Sequence, residues 1–372
     1  MIQKVKIVLG ALFGDEGKGN TVQWLCQKAL ENNEEPIVVR FSGGPQAGHR
    51  VVHNNVEHVC SLVGSGVLLN IPTYLGPDVY IDPISLKNEI QCLINKGIMP
   101  KIYIDNTCRI ITPMDREVDC NDTKVKEHGS CGCGIHATFM RYKKYDIAPF
   151  SASAIIYPKA YLKLIGSDQN KEFIEACGWL RDYVNFASYD ALSKYNTIIF
   201  EGSQGLLLDM ENGFMPHCTP SKVGLNGVPR QYLDDAEVYL VIRSYLTRHG
   251  NGYEPECEKV IRSNYTNLEE LTNLDDGPQG KFKIGVHNLI LLRDAFVRHH
   301  LDNYARMYGV KFNLVITHMD CCGTIVVIHK SKNWPTSLQP WELKFDIIDF
   351  QNIYLGYSPD SLFKKVDMTY LN

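Results

Sequence analysis

The amino-acid sequence predicts an α/β protein in which a mostly parallel central sheet is flanked by helices. Three features support this fold class: segments rich in Val and Ile alternate with helix-like segments, these segments are continuously apolar, and several of them end in glycine-rich loops. Continuous apolar runs are typical of strands that are buried on both faces of a parallel sheet. The intervening helices would supply the crossover connections between parallel strands.

The predicted elements follow one another along the chain. The strand candidates, most of them rich in Val and Ile, are residues 4–11, 36–42, 101–105, 197–202, 312–320 and 323–330. The helix candidates are residues 21–31, 84–97, 171–194, 229–248 and 288–309. The last of them carries four residues at helical spacing, namely Leu289, Leu292, Phe296 and His300. No linker-like stretch divides the chain, so we expect one domain over residues 1–372. Ligands are expected at the carboxyl ends of the strands.

Composition excludes several classes of protein. The formal net charge of −4 and the 22% of charged residues argue against a nucleic-acid-binding protein, which needs a basic patch. No apolar run approaches the roughly 18 residues of a membrane helix. The sequence enters a predicted strand without a signal segment, so we expect a cytoplasmic protein without membrane or nucleic-acid partners. The twelve cysteines are irregularly spaced, which favours free thiols over a disulfide framework or a zinc site.

The most informative motif is the run GDEGKG at residues 14–19, between a predicted strand and a predicted helix. Glycines at this point allow backbone N–H groups to surround a phosphate, and a helix N-terminus adds positive potential. The run departs from the common phosphate-binding loop, because Leu12 replaces its first glycine and Gly19 replaces its hydroxyl residue. It also contains a carboxylate, Asp15, that could act on a substrate. The alternative is a glycine-rich turn with solvated charges.

Four further loops carry groups suited to chemistry, and three of them directly follow predicted strands. The first loop is at residues 42–50 and contains His49 near its end. His49 could exchange a proton near neutral pH, although a structural histidine is an equal alternative. Residues 129–136 combine glycines with hydroxyl and thiol groups, and by themselves they would be a plain surface loop. Residues 200–205 (FEGSQG) form the third loop. The fourth ends in Asp320, whose carboxylate could accept N–H bonds from a guanine edge.

The order and spacing of these loops resemble the adenylosuccinate synthetase family. That family reads GDEGKG, GG-x-NAGHT, a Gly- and Thr-rich loop, FEGAQG and T-K-x-D in the same order. Gly213, Pro216 and Thr219 also match the stretch that follows the glutamine. The resemblance spans most of the chain and implies an adenylosuccinate-synthetase-like fold, related to that of P-loop proteins.

The resemblance also implies a reaction, in which L-aspartate is coupled to C6 of a 6-oxopurine nucleotide, usually inosine monophosphate (IMP), at the expense of GTP. Asp15 would take the N1 proton, so that the 6-oxygen attacks the γ-phosphorus. His49 would donate a hydrogen bond to the β- and γ-phosphates of the nucleoside triphosphate, and Lys18 would neutralise the negative charge that develops on them. Mg²⁺ would be held by Asp15 and the Gly48 carbonyl. The aspartate amine would then displace phosphate from the 6-phosphoryl intermediate.

The resemblance assigns the remaining site residues by position. Gln204 falls at a catalytic position that contacts the nucleotide substrate. The nucleotide-binding positions correspond to Gly14, Glu16, Gly17, Gly19, Asn20, Gln46, Ala47, Ser130, Cys131, Thr219 and Asp320. Lys281 and Lys283 lie where the family has an arginine-rich loop for aspartate. Lysine cannot offer a carboxylate the bidentate fork of arginine, so this site must be built differently.

Other departures concern the nucleotides. The chain is several dozen residues shorter than the usual family member. Gln46 replaces an asparagine, Arg50 replaces a threonine, and the loop at 129–136 loses its arginine. His318 replaces the lysine of T-K-x-D, which makes ATP or dATP plausible as phosphoryl donor in place of GTP. The pattern resembles a viral branch of the family that aminates deoxyguanosine monophosphate (dGMP), and such a protein would act in the host cytoplasm.

Two questions about the acceptor and the activity stay open in the sequence. Many viral members replace the loop aspartate, whereas this chain keeps Asp15, which could accept from both N1–H and the 2-amino group of guanine. Asp15 therefore does not exclude dGMP, and dGMP and IMP are nearly equal alternatives. The rewritten loops slightly favour GMP or dGMP as acceptor, with IMP and GTP as the alternative pair. Less favoured alternatives are a non-catalytic purine-nucleotide-binding paralogue and a GTPase-like switch.

The resemblance further implies a homodimer, in which an arginine from the partner reaches the substrate phosphate. Arg141, Lys143 and Lys144 lie near the equivalent position, after the glycine-rich loop. A solvated basic run is the equal alternative for these residues, and the sequence does not align any of them with the family's arginine.

Overall fold

A computed structural model describes residues 3–123, 131–145, 151–266, 268, 280–328, 335–360 and 363–366. The strands are β1 (Lys4–Gly10), β2 (Pro36–Arg40), β3 (His49–His53), β4 (Val56–Cys60), β5 (Thr73–Leu75), β6 (Tyr80–Ile81), β7 (Ile102–Asp105), β8 (Arg109–Ile110), β9 (Asn185–Ala187), β10 (Thr197–Gly205), β11 (Glu237–Arg243), β12 (Leu246–His249), β13 (Phe282–Gly285), β14 (His287–Asn288), β15 (Lys311–Thr317), β16 (Ile325–Ile328), β17 (Thr336–Leu338), β18 (Phe350–Gly356) and β19 (Phe363–Lys365). The α-helices are α1 (Lys18–Glu31), α2 (Pro83–Asn95), α3 (Pro113–Asn121), α4 (Ile135–Tyr145), α5 (Ser151–Ile156), α6 (Pro158–Leu164), α7 (Lys171–Tyr183), α8 (Glu258–Asn264), α9 (Leu289–Arg298) and α10 (Leu301–Tyr308).

The central sheet has ten strands in the order β19-β18-β15-β11-β1-β10-β2-β5-β7-β9. The neighbours run parallel except for β19, which pairs antiparallel with β18. This confirms the predicted α/β class. Because β1 lies between β10 and β11, the glycine-rich loop after β1 opens at the middle of the carboxyl edge of the sheet, where ligands bind in such folds.

The core lies on both faces of the sheet, as the continuous apolar runs predict. In β1, Ile7 and Leu9 pack into one hydrophobic cluster, whereas Val8 packs into another with Trp24 of α1. All four side chains are buried. Two-sided burial of this kind leaves each parallel strand no solvated face, so the loops at the strand ends carry the polar groups. The strands of this sheet lie between residues 4 and 365 of the chain. That residues 1–372 form a single domain stays a prediction.

Several predicted elements are wrong or incomplete. Residues 229–248, predicted as a helix, contain β11 and β12, and β11 is a central strand of the sheet. Residues 238–242 of β11 (VYLVI) are hydrophobic and rich in β-branched side chains, and the pairing of β11 with β1 and β15 decides its conformation. The predicted helix at 171–194 ends at Tyr183 and is followed by β9 and a 3₁₀ turn at Tyr189–Lys194.

Two further differences concern the C-terminal half. The predicted helix at 288–309 is interrupted at His300, whose φ of 49° is incompatible with a continuous right-handed helix, and it therefore forms α9 and α10. The predicted strand at 323–330 is present as β16, but it belongs to a separate three-stranded sheet with β14 and β17. The other predicted strands and helices match within a few residues. In the part of the chain that the structure describes, no helix is both long and apolar enough to cross a membrane.

Candidate functional site

A cavity of about 810 Å³ opens at the carboxyl ends of the strands, beside the glycine-rich loop. The predicted site residues that line it are Gly14, Asp15, Glu16, Gly17, Lys18, Gly19, Asn20, Gln46, Ala47, Gly48, His49, Cys131, Gln204, Thr219 and Asp320. Ser130 lies outside the described residues. Lys281 and Lys283 do not line the cavity. The fold thus brings together residues that are far apart in the sequence, while their individual roles stay predictions.

The glycine-rich loop has the backbone geometry of an anion site. Gly14, Asp15 and Gly17 have φ angles of 93°, 56° and 92°, and α1 begins directly afterwards at Lys18. None of the described side chains caps the helix N-terminus, so its first N–H groups are available to a ligand. Two side chains donate hydrogen bonds to carbonyl groups of this loop. The Thr247 hydroxyl donates to the Gly14 carbonyl oxygen at 3.0 Å, and the Arg243 guanidinium donates to the Asp15 carbonyl oxygen.

The absence of a hydroxyl residue at Gly19 has a steric cause. A Cβ atom at this position would lie 2.8 Å from Cβ of His49 and 3.1 Å from Oγ of Ser65. The first turn of α1 therefore packs directly against the start of β3, and glycine is the residue that permits this approach. The departure from the common phosphate-binding loop makes room for the histidine.

Glu16 and Lys18 form a buried pair inside the loop. The Lys18 ammonium lies 3.6 Å from Oε2 of Glu16, and both residues are only 3% exposed. The Leu12 N–H donates to Oε1 of Glu16 at 2.6 Å, whereas Oε2 accepts no hydrogen bond from the described residues. Burial raises the pKa of Glu16, and the charge of Lys18 opposes this shift. Lys18 thus already has an anionic neighbour near the phosphate-binding position.

His49 is oriented by a glutamate that the sequence analysis did not assign. Its Nδ1 lies 2.5 Å from Oε1 of Glu201, and its Nε2 lies 3.3 Å from the Ser203 carbonyl oxygen. Burial lowers the pKa of His49, and the hydrogen bond with Glu201 opposes this shift. Because the Glu201 carboxylate and the Ser203 carbonyl are both acceptors, the ring can donate to both only in its protonated form. An anionic phosphate at Nε2 would favour the same protonated, donating form.

Glu201 is the buried anchor of this arrangement. Burial by itself would raise its pKa, but the charge of Arg40 and the hydrogen bond with His49 lower the pKa to about 2. Arg40 approaches Oε1 to 3.7 Å, and the backbone N–H and hydroxyl of Ser65 both donate to the carboxylate. Glu201 is the second residue of FEGSQG. Its position at the end of a buried strand is the sequence feature that could have identified it as a site residue.

The far end of the cavity contains the T-H-x-D segment. His318 has a φ of 58°, and its Nδ1 lies 2.9 Å from the Thr317 hydroxyl. Burial and the charge of Arg243 lower the pKa of His318, so its imidazole is neutral at pH 7. Asp320 is exposed at the rim, and Asn20 on α1 donates to the Ser358 carbonyl at 3.0 Å. A neutral ring thus stands where the family has a lysine.

The structure limits the basic residues that could cross a dimer interface. Arg141 is buried and donates to both carboxylate oxygens of Asp115, at 2.9 and 2.7 Å, and to the hydroxyl of Tyr161 at 2.6 Å. It is therefore committed within its own chain, which removes it from the candidates. Lys143 and Lys144 are exposed on the last turn of α4.

Oxygen ligands suited to Mg²⁺ are present at the predicted place. Asp15 and Gly48 line the cavity together, and Oε2 of Glu16, which is buried 3.6 Å from the Lys18 ammonium and accepts no hydrogen bond from the described residues, adds a further acceptor. Carboxylate and carbonyl oxygens are the ligands that Mg²⁺ prefers, with water and substrate phosphates completing the shell. The donor set therefore fits this ion.

A second group of potential metal ligands, His58, Cys60 and Glu89, is structural. Backbone N–H groups of residues 61–63 donate to the Glu89 carboxylate at 2.8 to 3.2 Å. The Lys96 ammonium lies 3.3 Å from Nδ1 of His58, so that nitrogen accepts and the proton is on Nε2. A ring in this tautomer, beside a cation, cannot offer Nε2 to a metal ion.

Fold and cavity together define a parallel α/β protein with a modified phosphate-binding loop at the centre of its carboxyl edge. A family model described as adenylosuccinate synthetase matches residues 7–147 and 157–297. The chain therefore belongs to the adenylosuccinate synthetase family.

Individual relatives agree. The chain is 30% identical to the adenylosuccinate synthetase of Thermodesulfovibrio yellowstonii over 285 residues, which cover 67% of this chain and 64% of that protein. It is 29% identical to that of Acetivibrio thermocellus over 382 residues, which cover 90% of this chain and 84% of that protein. The chain thus matches less than two thirds of the length of the first of these relatives.

Two solved structures share the fold. The fully ligated adenylosuccinate synthetase of Plasmodium falciparum aligns with a TM-score of 0.68 and 20% identity, covering 96% of this chain and 98% of that one. The succinoaminodeoxyadenylate synthetase of cyanophage S-2L, bound to dGMP and dATP as an energy donor, aligns with a TM-score of 0.65 and 17% identity. That alignment covers 97% of this chain and 94% of the cyanophage chain.

Proposed function

We propose that this chain is a C–N bond-forming ligase that couples L-aspartate to C6 of a 6-oxopurine nucleoside monophosphate. The reaction would proceed through a 6-phosphoryl intermediate and convert a nucleoside triphosphate into the diphosphate and phosphate. The observation that supports it best is the convergence in one cavity of Asp15, Lys18 and the Glu201-oriented His49, beside the uncapped N-terminus of α1.

In the first step, the Asp15 carboxylate takes the N1 proton of the purine, and electron density moves to the 6-oxygen. This oxygen forms a bond to the γ-phosphorus as the bond to the leaving diphosphate breaks. His49 donates from Nε2 to the phosphates, while Lys18 and the N–H groups of α1 offset the negative charge. Mg²⁺ held by Asp15 and the Gly48 carbonyl would withdraw further charge from the phosphates.

In the second step, the amine of L-aspartate attacks C6. The C6–O bond breaks and phosphate leaves with the electron pair, and the proton lost from the nitrogen is taken up by the departing phosphate. Phosphorylation is required because the oxygen of a 6-oxopurine is a poor leaving group. A cavity that holds both nucleotides around Asp15 keeps the intermediate away from bulk water.

For the nucleotides, we propose GMP or dGMP as acceptor and ATP or dATP as donor, which gives 2-aminoadenylosuccinate or its deoxy form. The neutral His318 supports an adenine donor, because it cannot supply the positive charge of a lysine to the 6-oxygen of guanine. The cyanophage S-2L neighbour, whose structure contains dGMP and dATP, supports the same pair. The second candidate is IMP with GTP, favoured by the curated relatives named adenylosuccinate synthetase.

The test is phosphate release in the presence of Mg²⁺, with IMP, GMP and dGMP each combined with ATP, dATP and GTP, with and without L-aspartate. We expect aspartate-dependent release with dGMP or GMP and an adenine triphosphate. Release with IMP and GTP alone would assign the chain to the second candidate. No aspartate-dependent release in any combination, with nucleotide binding retained, would contradict the ligase and indicate a binding protein.

We also propose a homodimer, and light scattering at assay concentration tests it.

A further inference from the structure

Arg248, at position three of β12, carries an unusual guanidinium in the wall of the cavity. The residue is only 5% exposed, yet it lines the cavity beside the glycine-rich loop. Its Nε and NH2 groups donate to the carbonyl oxygen of Asn251, and its guanidinium lies 5.0 Å from the ring centroid of Phe13. Phe13 in turn stacks on Tyr253 at 5.3 Å. The guanidinium plane is therefore fixed by an aromatic face and a carbonyl oxygen.

The charge of this guanidinium is not neutralised by the described residues. Its hydrogen bonds go to a neutral carbonyl group, and no carboxylate of the described chain forms an ion pair with it. Burial lowers the pKa of Arg248 to about 10, against weaker opposing effects of Cys218, Asp15 and Glu254. A buried cation without a counter-ion is costly, and buried charges in proteins are normally paired. The described residues therefore supply no anion to this guanidinium.

Other basic residues near the cavity already have anionic or polar partners. Lys18 faces Glu16, and Arg50 forms a bidentate pair with Glu57. Arg243 donates to the Asp15 carbonyl and to the Tyr245 hydroxyl, so its guanidinium is engaged in holding the glycine-rich loop. Lys283 pairs with Glu254 and does not line the cavity. Arg248 thus combines cavity access and burial with a charge that no carboxylate of the described residues pairs, and its hydrogen bonds to Asn251 do not hold the loop itself.

The position of Arg248 relates it to the centre of the proposed reaction. Its neighbour Thr247 donates to the Gly14 carbonyl at 3.0 Å, which joins β12 to the loop that carries Asp15. The phosphates of the triphosphate have their own groups, namely the N-terminus of α1, Lys18 and His49. The anionic groups that still need a cation are the 5′-phosphate of the monophosphate and the carboxylates of the amino acid. The amino acid is the better match for Arg248, because its nitrogen must reach C6 close to Asp15, and β12 is joined to the loop that carries Asp15.

We propose that Arg248 binds a carboxylate of L-aspartate through its remaining N–H groups. This inference rests on the proposed ligase function and deepens it, since it assigns the amino-acid site to β12 and not to Lys281 and Lys283. The guanidinium offers a carboxylate planar, paired N–H donors, which lysine cannot do. The stack on Phe13 holds the donors in place before the substrate arrives, which reduces the entropic cost of binding.

The test compares steady-state constants of the wild type with those of Arg248→Met and Arg248→Lys. Losing a charge-assisted bidentate contact should raise the KM for L-aspartate by roughly 10- to 100-fold. The KM values for both nucleotides should stay within about 3-fold, because their contacts lie elsewhere. Inhibition by succinate, which has both carboxylates but no amine, should weaken by a similar factor. Arg293→Met, at an exposed arginine paired with Asp346, is the matched control and should leave all constants unchanged.

Other results would overturn the inference. A rise in KM for the monophosphate, with none for aspartate, would make Arg248 a phosphate ligand. A rise in KM for aspartate in Lys281→Ala or Lys283→Ala, with none in the Arg248 variants, would return the site to the loop lysines. If Arg248→Met does not fold, as judged by circular dichroism, Arg248→Lys decides by the same criterion. Absence of aspartate-dependent turnover in the wild type would instead refute the ligase itself, a distinct outcome.

Discussion

Substitution of Glu201 by glutamine should destabilise the protein in a pH-dependent way. The carboxylate is fully buried between Arg40, His49 and Ser65. Its pKa is lowered from the ordinary 4.5 to about 2, and at about 1.4 kcal/mol per pH unit this corresponds to about 3 kcal/mol of stability. The charge of Arg40 is the main cause that lowers this pKa, so the two figures describe one interaction: breaking a buried pair by removing one partner typically costs about 3–5 kcal/mol, in line with this value.

The sign of the pH dependence follows from the direction of the shift. Because the folded protein lowers the pKa of Glu201, its contribution is fully present above the unfolded pKa near 4.5 and is lost as pH falls towards 2. The difference in unfolding free energy between wild type and Glu201→Gln should therefore be about 3 kcal/mol at pH 7. It should shrink as the pH falls below 4.5.

Urea unfolding followed by tryptophan fluorescence, at intervals between pH 7 and pH 3, measures this difference. Glu175→Gln is the matched control, since Glu175 is exposed on α7 and pairs with Lys171, and it should change stability by less than about 0.5 kcal/mol. A loss below about 1 kcal/mol at pH 7, or a loss that does not vary with pH, would refute the buried, ionised state of Glu201. Turnover should also fall, because His49 loses the acceptor that orients its Nδ1–H.

Three further changes test other parts of the site. Gly19→Ser restores the hydroxyl of a common phosphate-binding loop. It should nevertheless lower kcat and destabilise the folded protein by about 1–3 kcal/mol, because the new Cβ would lie 2.8 Å from Cβ of His49. An unchanged rate of phosphate release would contradict this prediction. Asp15→Asn should abolish turnover while calorimetric nucleotide binding stays nearly intact, and near wild-type activity would remove Asp15 from the mechanism. His318→Lys should shift the donor preference in kcat/KM from ATP towards GTP, and an unchanged ratio would show that residue 318 does not read the base.

Local sequence was sufficient to predict the glycine-rich loop and most of the strands. A continuously apolar run such as β1 is buried wherever it lies in a parallel sheet, and glycines with positive φ at 14 and 17 mark the turn into α1. The fold class and the position of the cavity follow from these local signals and from the rule that ligands bind at the carboxyl ends of the strands.

Elements whose conformation depends on distant partners were not predictable in this way. The helix expected at 229–248 is replaced by β11 and β12, because β11 pairs with β1 and β15, which are far away in the sequence. The same error concealed Arg243 and Arg248, which the wrong helix would have distributed around its surface. Short strands such as β5 and β9 are too brief to carry a periodic signal of their own.

The sequence by itself determined which chemical groups this protein carries at its loops, and in which order. Tertiary structure decided which of those groups meet: His49 with Glu201, Arg248 with Phe13, and Thr247 with the Gly14 carbonyl beside one cavity. The physical reason is that a pKa, an ion pair or a steric contact depends on distances in space. Those distances are fixed by the pairing order of the central sheet, which no local window of sequence contains.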